Sequence, residues 1–304
     1  MAQAMKHRAA TGGILKLIRS KRVSRSYILV DRRGYHEALA IGSPEANAYL
    51  RAQARAKGQQ LRQRDLDELN QELLSQADES GVQLDLYARV TPVPGGVEID
   101  LNDGAGTTVL LAEGRVEVLK GSGTLFTRAA SSMALPAPAN HGEFSLLKGY
   151  VNLPPDTFML YVAWLAFIIA SPKVESTKYV FLVIKGTQGT GKTFASKATQ
   201  RLVDPSSIGV QTLPGSARDL AIMLQACHLL VVDNLRDLSA ALSDTLCIAA
   251  TGGSAPMRKL YTDDEQKALY LHGAIVFNGI HPFIGQSDFA DRCLVLELKP
   301  IPRT

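Results

Sequence analysis

A chain of 304 residues, 46% hydrophobic and 20% charged, is long enough for two domains with cores of their own and has the composition of a globular protein, not a disordered or fibrous one. A net charge of only +4 removes bulk charge as an argument for nucleic acid. The longest apolar run, residues 158–170, falls short of the roughly 20 residues that a bilayer span needs.

The first elements are basic. Residues 1–33 hold nine Lys or Arg against the single acid Asp31. Such an arm either contacts phosphates or forms a solvated, poorly ordered terminus. Residues 27–30 read as a short strand, 31–34 as a turn, and 35–41 as the returning partner. From 43 to 80 the period is helical: Ser43 and Pro44 suit an N-cap and first helical position. Leu66, Leu69 and Leu73 mark one buried face, and Gly81 suits a stop. From 82 to 128 the period shortens. Val82, Leu84 and Leu86 alternate with polar residues, as do Val97, Ile99 and Leu101, between Gly-rich punctuation. A small antiparallel sheet module is expected there.

This divides the chain into a basic arm and first strands (1–35), a small α+β accessory domain (36–128), a Pro- and Ala-rich linker (129–145) and a second domain (146–304). Cys227, Cys247 and Cys293 show no metal spacing and no C-x-x-C pair, so they read as small core residues in a reducing cytosol.

The second domain carries the chemistry. After the apolar helix at 157–170, the run at 179–184 is apolar throughout, as a parallel strand buried on both faces would be. It leads into Gly186-Thr187-Gln188-Gly189-Thr190-Gly191-Lys192-Thr193, which is G-x-x-x-x-G-K-T, and then into a helical stretch opening at Phe194. Strand, loop and helix in that order make a phosphate-binding loop. Its glycines let backbone N–H groups face the phosphates at a helix N-terminus. Lys192 is expected on the β- and γ-phosphates and the Thr193 hydroxyl on Mg²⁺, with Phe194 completing the nucleotide contacts. ATP and Mg²⁺ are therefore the expected cofactors.

About 40 residues on, the apolar run at 229–232 ends in Asp233. A carboxylate at the tip of a neighbouring parallel strand would share the magnesium with Thr193. Asn234 follows it. An amide orients a water but takes no proton, so either Asp233 serves both roles, or Asp237 reaches in, or hydrolysis is slow. A further buried run, 274–277, ends in Asn278, placed to bond the γ-phosphate or the attacking water. Fourteen residues later, Arg292 precedes the strand at 293–298 and is a candidate to neutralise phosphate charge in a neighbouring subunit.

This set of phosphate loop, Asp233 strand, Asn278 strand and downstream Arg292 resembles the superfamily 3 helicases, and within them the phage and mobile-element branch related to the D5-type primase-helicases. The wording Asp233-Asn234-Leu235, Thr251-Gly252-Gly253, Arg258-Lys259-Leu260, Phe277-Asn278-Gly279 and Asp288-Phe289-Ala290-Asp291-Arg292 carries the resemblance. It covers residues 146–300. It implies an AAA+-like α/β domain with a parallel sheet and an ATP-driven homo-oligomeric ring of six. That ring would travel on single-stranded or forked DNA in the cytoplasm of a bacterial host, with a primase or another replication protein as possible partner. It also implies a pore-facing hairpin within 251–273, with Arg258 and Lys259 near phosphate or the next nucleotide site and Lys267 or His272 near DNA. Two features depart from it: the hairpin tip Asp263-Asp264-Glu265 is acidic, and the sequence stops soon after Arg292, where relatives continue into a helical segment. A nucleotide-switched loader or scaffold, without unwinding, is the alternative that Asn234 and the acidic tip favour.

Overall fold

A computed structural model describes residues 2–20, 25–32, 34–257, 267–279 and 285–301. The first unit runs α1 (Ala2–Thr11), β1 (Ile14–Ser20), β2 (Ser26–Asp31), β3 (His36–Ala40), α2 (Pro44–Ala56), α3 (Gln63–Ser80) and β4 (Val82–Leu84). The sheet order is β3-β2-β1-β4. Ile28, Val30, Leu39, Leu50, Leu66, Leu69 and Leu73 form the core between sheet and helices.

Three expectations change here. The expected domain boundary at 35 runs through the β2–β3 hairpin, which pairs Asp31 with His36. The single helical stretch is two helices. The Ser43 hydroxyl accepts from the Ala46 N–H as expected, but Gly58 adopts φ +73 and breaks the run before α3 restarts. Finally, β4 leaves the later strands and pairs in parallel with β1; its alternation was read correctly as a strand, but pairing depends on tertiary neighbours.

The described part of the basic arm is packed, though Arg8, Lys16 and Arg25 stay exposed. α1 packs on α2 and α3, with Lys6 on Asp65 at 3.1 Å and His7 on Glu72 at 2.9 Å, while Arg19 of β1 lies 3.5 Å from Asp78. Each such half-exposed pair is worth little alone. Lys21, Arg22 and Arg33 lie outside the described residues.

The second sheet is the expected antiparallel module: β5 (Val90–Val93), β6 (Gly96–Asp100), β7 (Thr107–Ala112) and β8 (Arg115–Lys120), in chain order. The segment expected as a linker is pinned in its first part. The Leu135 N–H donates to the Leu101 carbonyl, and the Met133 and Ser207 N–H groups bond Pro205 and Ser131.

The third unit contains α4 (Pro155–Ile169), β9 (Phe181–Lys185), α5 (Lys192–Val203), α6 (Ala217–Ala226), β10 (Leu229–Val232), α7 (Ala240–Thr251), β11 (Gly253–Met257), β12 (Lys267–Leu271), β13 (Ala274–Asn278), α8 (Ser287–Ala290) and β14 (Cys293–Glu297). Four strands form a parallel sheet in the order β10-β13-β9-β14. Alternate residues feed opposite cores, as the pleat requires. Leu182, Ile184, Leu229, Val231 and Val276 pack with α4 and α5. Phe181, Val183, Leu230, Val232, Ile275 and Phe277 pack with α6, α7 and Phe289 of α8. This explains why these strands read as continuous apolar runs. β11 and β12 make a separate antiparallel hairpin.

A buried ion pair joins the units. Arg89, held at φ +65, donates through Nε to Asp204 at 2.9 Å and through its other nitrogens to the carbonyls of Asp100 and Met133. The second oxygen of Asp204, just past α5, accepts from the N–H groups of His228 and Leu229 at the start of β10.

Candidate nucleotide-binding site

In a parallel sheet the loops after the strands' C-terminal ends share one edge, and there the site assembles. β9 ends at Lys185 and the phosphate loop turns out of it. Gly186 sits at φ +151, where a Cβ would come within 2.6 Å of the Thr190 hydroxyl oxygen, so only glycine fits. Gly191 caps α5 at φ +82 and sends the chain into the helix. The Lys192 ammonium folds back over the loop and donates to the carbonyls of Gly186 (2.8 Å) and Thr187 (2.9 Å). Partial burial lowers its pKa, and the nearby Asp233 charge opposes that shift.

The Thr193 hydroxyl lies 3.2 Å from both carboxylate oxygens of Asp233. The pairing is as expected, but the path is not. Asp233 follows β10, which is not next to β9: β13 lies between them. That insertion places Asn278, the last residue of β13, at the centre of the site. Its Oδ1 accepts from the Asn234 N–H at 3.0 Å, and its Nδ2 donates to the Ser196 hydroxyl at 2.9 Å. Asn278 is only 1% exposed and Ser196 is fully buried, so the amide cross-links α5, β13 and the turn after β10. Asn234 holds that turn with φ +56, a left-handed conformation that Asn tolerates better than most residues. Ser196 was not singled out from sequence, because a serine one turn into a helix has no signature of its own.

Together these groups line a cleft of about 420 Å³ bounded by Gln188, Gly189, Gly191, Lys192, Thr193, Phe194, Asp233, Asn234, Asn278 and Gly279. Asp233 and Asn234 reach it; Asp237 is not among its lining residues. The donor set, one hydroxyl and one carboxylate converging beside an ammonium and a row of loop N–H groups, fits a magnesium-bound polyphosphate.

Arg292 lies elsewhere. It precedes β14, where Cys293 pairs with Phe181 at the start of β9, whereas the phosphate loop follows Lys185 at the other end. A five-residue strand separates the two by about 15 Å. The guanidinium donates to the Asp288 carbonyl of α8.

The expected hairpin is present from Gly253↔Leu271 to Met257↔Lys267. Arg258, Lys259 and the tip Asp263-Asp264-Glu265 lie outside the described residues, as does the Lys267 side chain. His272 is a correction. It is 3% exposed, with Nε2 3.0 Å from the Thr177 carbonyl oxygen and Nδ1 3.2 Å from the Tyr270 hydroxyl. That burial makes it a packing group under the hairpin, not a surface contact for DNA. A second histidine, His228, is buried at the start of β10, and desolvation pushes its pKa down to about 4.

Among known proteins, the family described as actinomycete integrative conjugative element replication protein matches residues 146–304. No curated protein matches the chain in sequence. Of the solved structures similar to it, the apo NrS-1 C-terminal region is 13% identical with a TM-score of 0.48, covering 98% of this chain and 62% of that one. The SCCmec type IV Cch active helicase is 11% identical with a TM-score of 0.38, covering 93% and 54%. JCV helicase is 14% identical with a TM-score of 0.32, covering 53% and 47%. The chain thus spans at most 62% of the length of these structures.

Proposed function

The chain belongs to the family of actinomycete integrative conjugative element replication proteins, and from that premise we propose that it is an ATP-hydrolysing, ring-forming motor acting on DNA during replication of such an element. The observation that carries this reading is the convergence of Lys192, Thr193 and Asp233 at one sheet edge, with Thr193 3.2 Å from the carboxylate. Loop N–H groups and the α5 N-terminus take the phosphates. Lys192 exchanges its two carbonyl partners for phosphate oxygens. Thr193 and Asp233 would hold Mg²⁺, which would supply positive charge beside the phosphates. Asn278 fixes the Asn234 peptide and so aims the turn that faces the attacking water.

Arg292 supports assembly. It is too far from the phosphate loop of its own chain, so a phosphate role requires a neighbouring copy. The hairpin of β11 and β12 with Lys267, together with Arg258 and Lys259 of the intervening sequence outside the described residues, is the proposed contact with single-stranded DNA.

A second reading has one observation behind it. The residue after Asp233 is an amide that accepts no proton, which suits a nucleotide-switched loader that binds ATP and turns it over slowly. Steady-state ATP turnover with and without single-stranded DNA tests the first reading. The wild type should be stimulated by DNA, and Lys192→Ala should lose roughly a hundredfold or more. Unchanged turnover in Lys192→Ala would exclude this site. Tight ATP binding with slow, DNA-independent turnover and no strand separation on a forked substrate would select the loader.

A further inference from the structure

Beside the phosphate cleft stands a group of exposed apolar side chains to which the phosphate chemistry gives no role. The rings of Tyr150 and Phe194 lie parallel within 3°, with centroids 5.9 Å apart. Tyr150 is 53% exposed and Phe194 56%. Ile301, 53% exposed, brings its Cδ1 within 3.5 Å of where a Cβ on Gly191 would stand. Tyr150 thus stacks on Phe194 at the rim of the cleft, and Ile301 stands over Gly191, three residues before Phe194. Two hydrogen bonds hold the stretches of Tyr150 and Ile301 together: Lys299 N–H to the Asn152 carbonyl at 2.9 Å, and Asn152 Nδ2 to the Lys299 carbonyl at 2.8 Å.

Position says what the group faces. Phe194 lines the cleft, directly follows Thr193, and is the third residue of α5. The N–H groups of a helix's first turn are free to point at an anion, so the Phe194 ring starts where a bound phosphate chain ends. The next parts of a nucleoside triphosphate beyond its phosphates are a ribose and a flat base. Large aromatic faces left in water forgo favourable contact, and an offset stack can be extended by another flat ring.

We infer that Tyr150, Phe194 and Ile301 form the nucleobase subsite of this cleft, gripping a purine by its face. This rests on the nucleotide-binding reading above. Each of the three side chains offers apolar surface to a ring face, and every base presents such a face. The subsite therefore favours the larger purines over pyrimidines and separates adenine from guanine only weakly. A DNA base is the other flat group that could occupy it; the continuity with the phosphate cleft favours the nucleotide.

Calorimetric titration of the full chain with ATP, GTP, CTP and inorganic tripolyphosphate, each with Mg²⁺, tests this. Phe194→Ala and Tyr150→Ala should each weaken ATP about tenfold and leave tripolyphosphate within about twofold, and Phe194→Trp should retain ATP binding. Tripolyphosphate also reports that the loop is intact in each variant. ATP and GTP should bind the wild type within about fivefold of each other, both more tightly than CTP. The inference is overturned if the alanine variants keep full ATP affinity, or if ATP and tripolyphosphate weaken together. It is equally overturned if the variants lose oligonucleotide binding alone, which would make the platform a DNA contact. A wild type that binds neither ATP nor tripolyphosphate would overturn the nucleotide site itself, whereas normal ATP binding indifferent to both aromatics would overturn the subsite alone.

Discussion

Asn278 carries more of the site than its place at a strand end suggests. Its amide accepts from the backbone of Asn234 at a part-buried contact and donates to the fully buried Ser196. Removing it leaves two polar groups without partners and frees the turn beside Asp233. Asn278→Ala is therefore expected to cost about 1–3 kcal/mol of stability. It should also lower kcat by about tenfold or more while ATP affinity changes far less, since the phosphate loop is untouched. A folded Asn278→Ala variant with wild-type kcat would contradict the positioning role. At this scale the sequence was informative wherever geometry restricts residue choice. Gly186 and Gly191 have φ values of +151 and +82, which few other residues adopt, so the loop is recognisable from its glycines. Ser196 and the buried state of His272 were not legible, because both depend on what lies across the fold.

The elements show a similar limit. Apolar runs at β9, β10 and β13 announced buried strands, and the sheet confirms them, whereas the apolar run at β14 forms a half-exposed edge strand. Their order did not follow, because the insertion of β13 between β9 and β10 is decided by packing of the helices on either face. The N-terminal alternation behaved alike: β4 was readable as a strand, and its partner β1 was not. The join between accessory and motor elements was also hidden, since Arg89 and Asp204 are 115 residues apart. Their pair is almost fully buried, at 2% and 7% side-chain exposure. Truncating one partner strands the other charge away from water, so Arg89→Met is expected to destabilise the fold by about 3–5 kcal/mol. Urea unfolding measures this. Because Asp204 also holds the N–H groups that start β10, the variant should lose ATP turnover at temperatures where it is still folded. A variant as stable and active as the wild type would show that the junction is incidental.

For the whole molecule, the N-terminal units are fastened to the family-matched unit through Arg89 and Asp204, and Lys6 and Arg19 pair with acids of α3. The proposed nucleotide site lies in the family-matched segment, residues 146–304. Within it the catalytic groups lie at one edge of the sheet and Arg292 at the other. In the proposed ring, a head-to-tail interface would set Arg292 of one copy against the cleft of the next. The central claim is thus an ATP site completed by the next copy. The most direct measurement is turnover in mixtures of Lys192→Ala and Arg292→Ala chains, each nearly inactive alone. A mixed interface can pair an intact Lys192 with an intact Arg292, so mixing should raise hydrolysis well above the sum of the two variants. Mixtures that demonstrably co-assemble yet stay as inactive as their components would contradict the shared site.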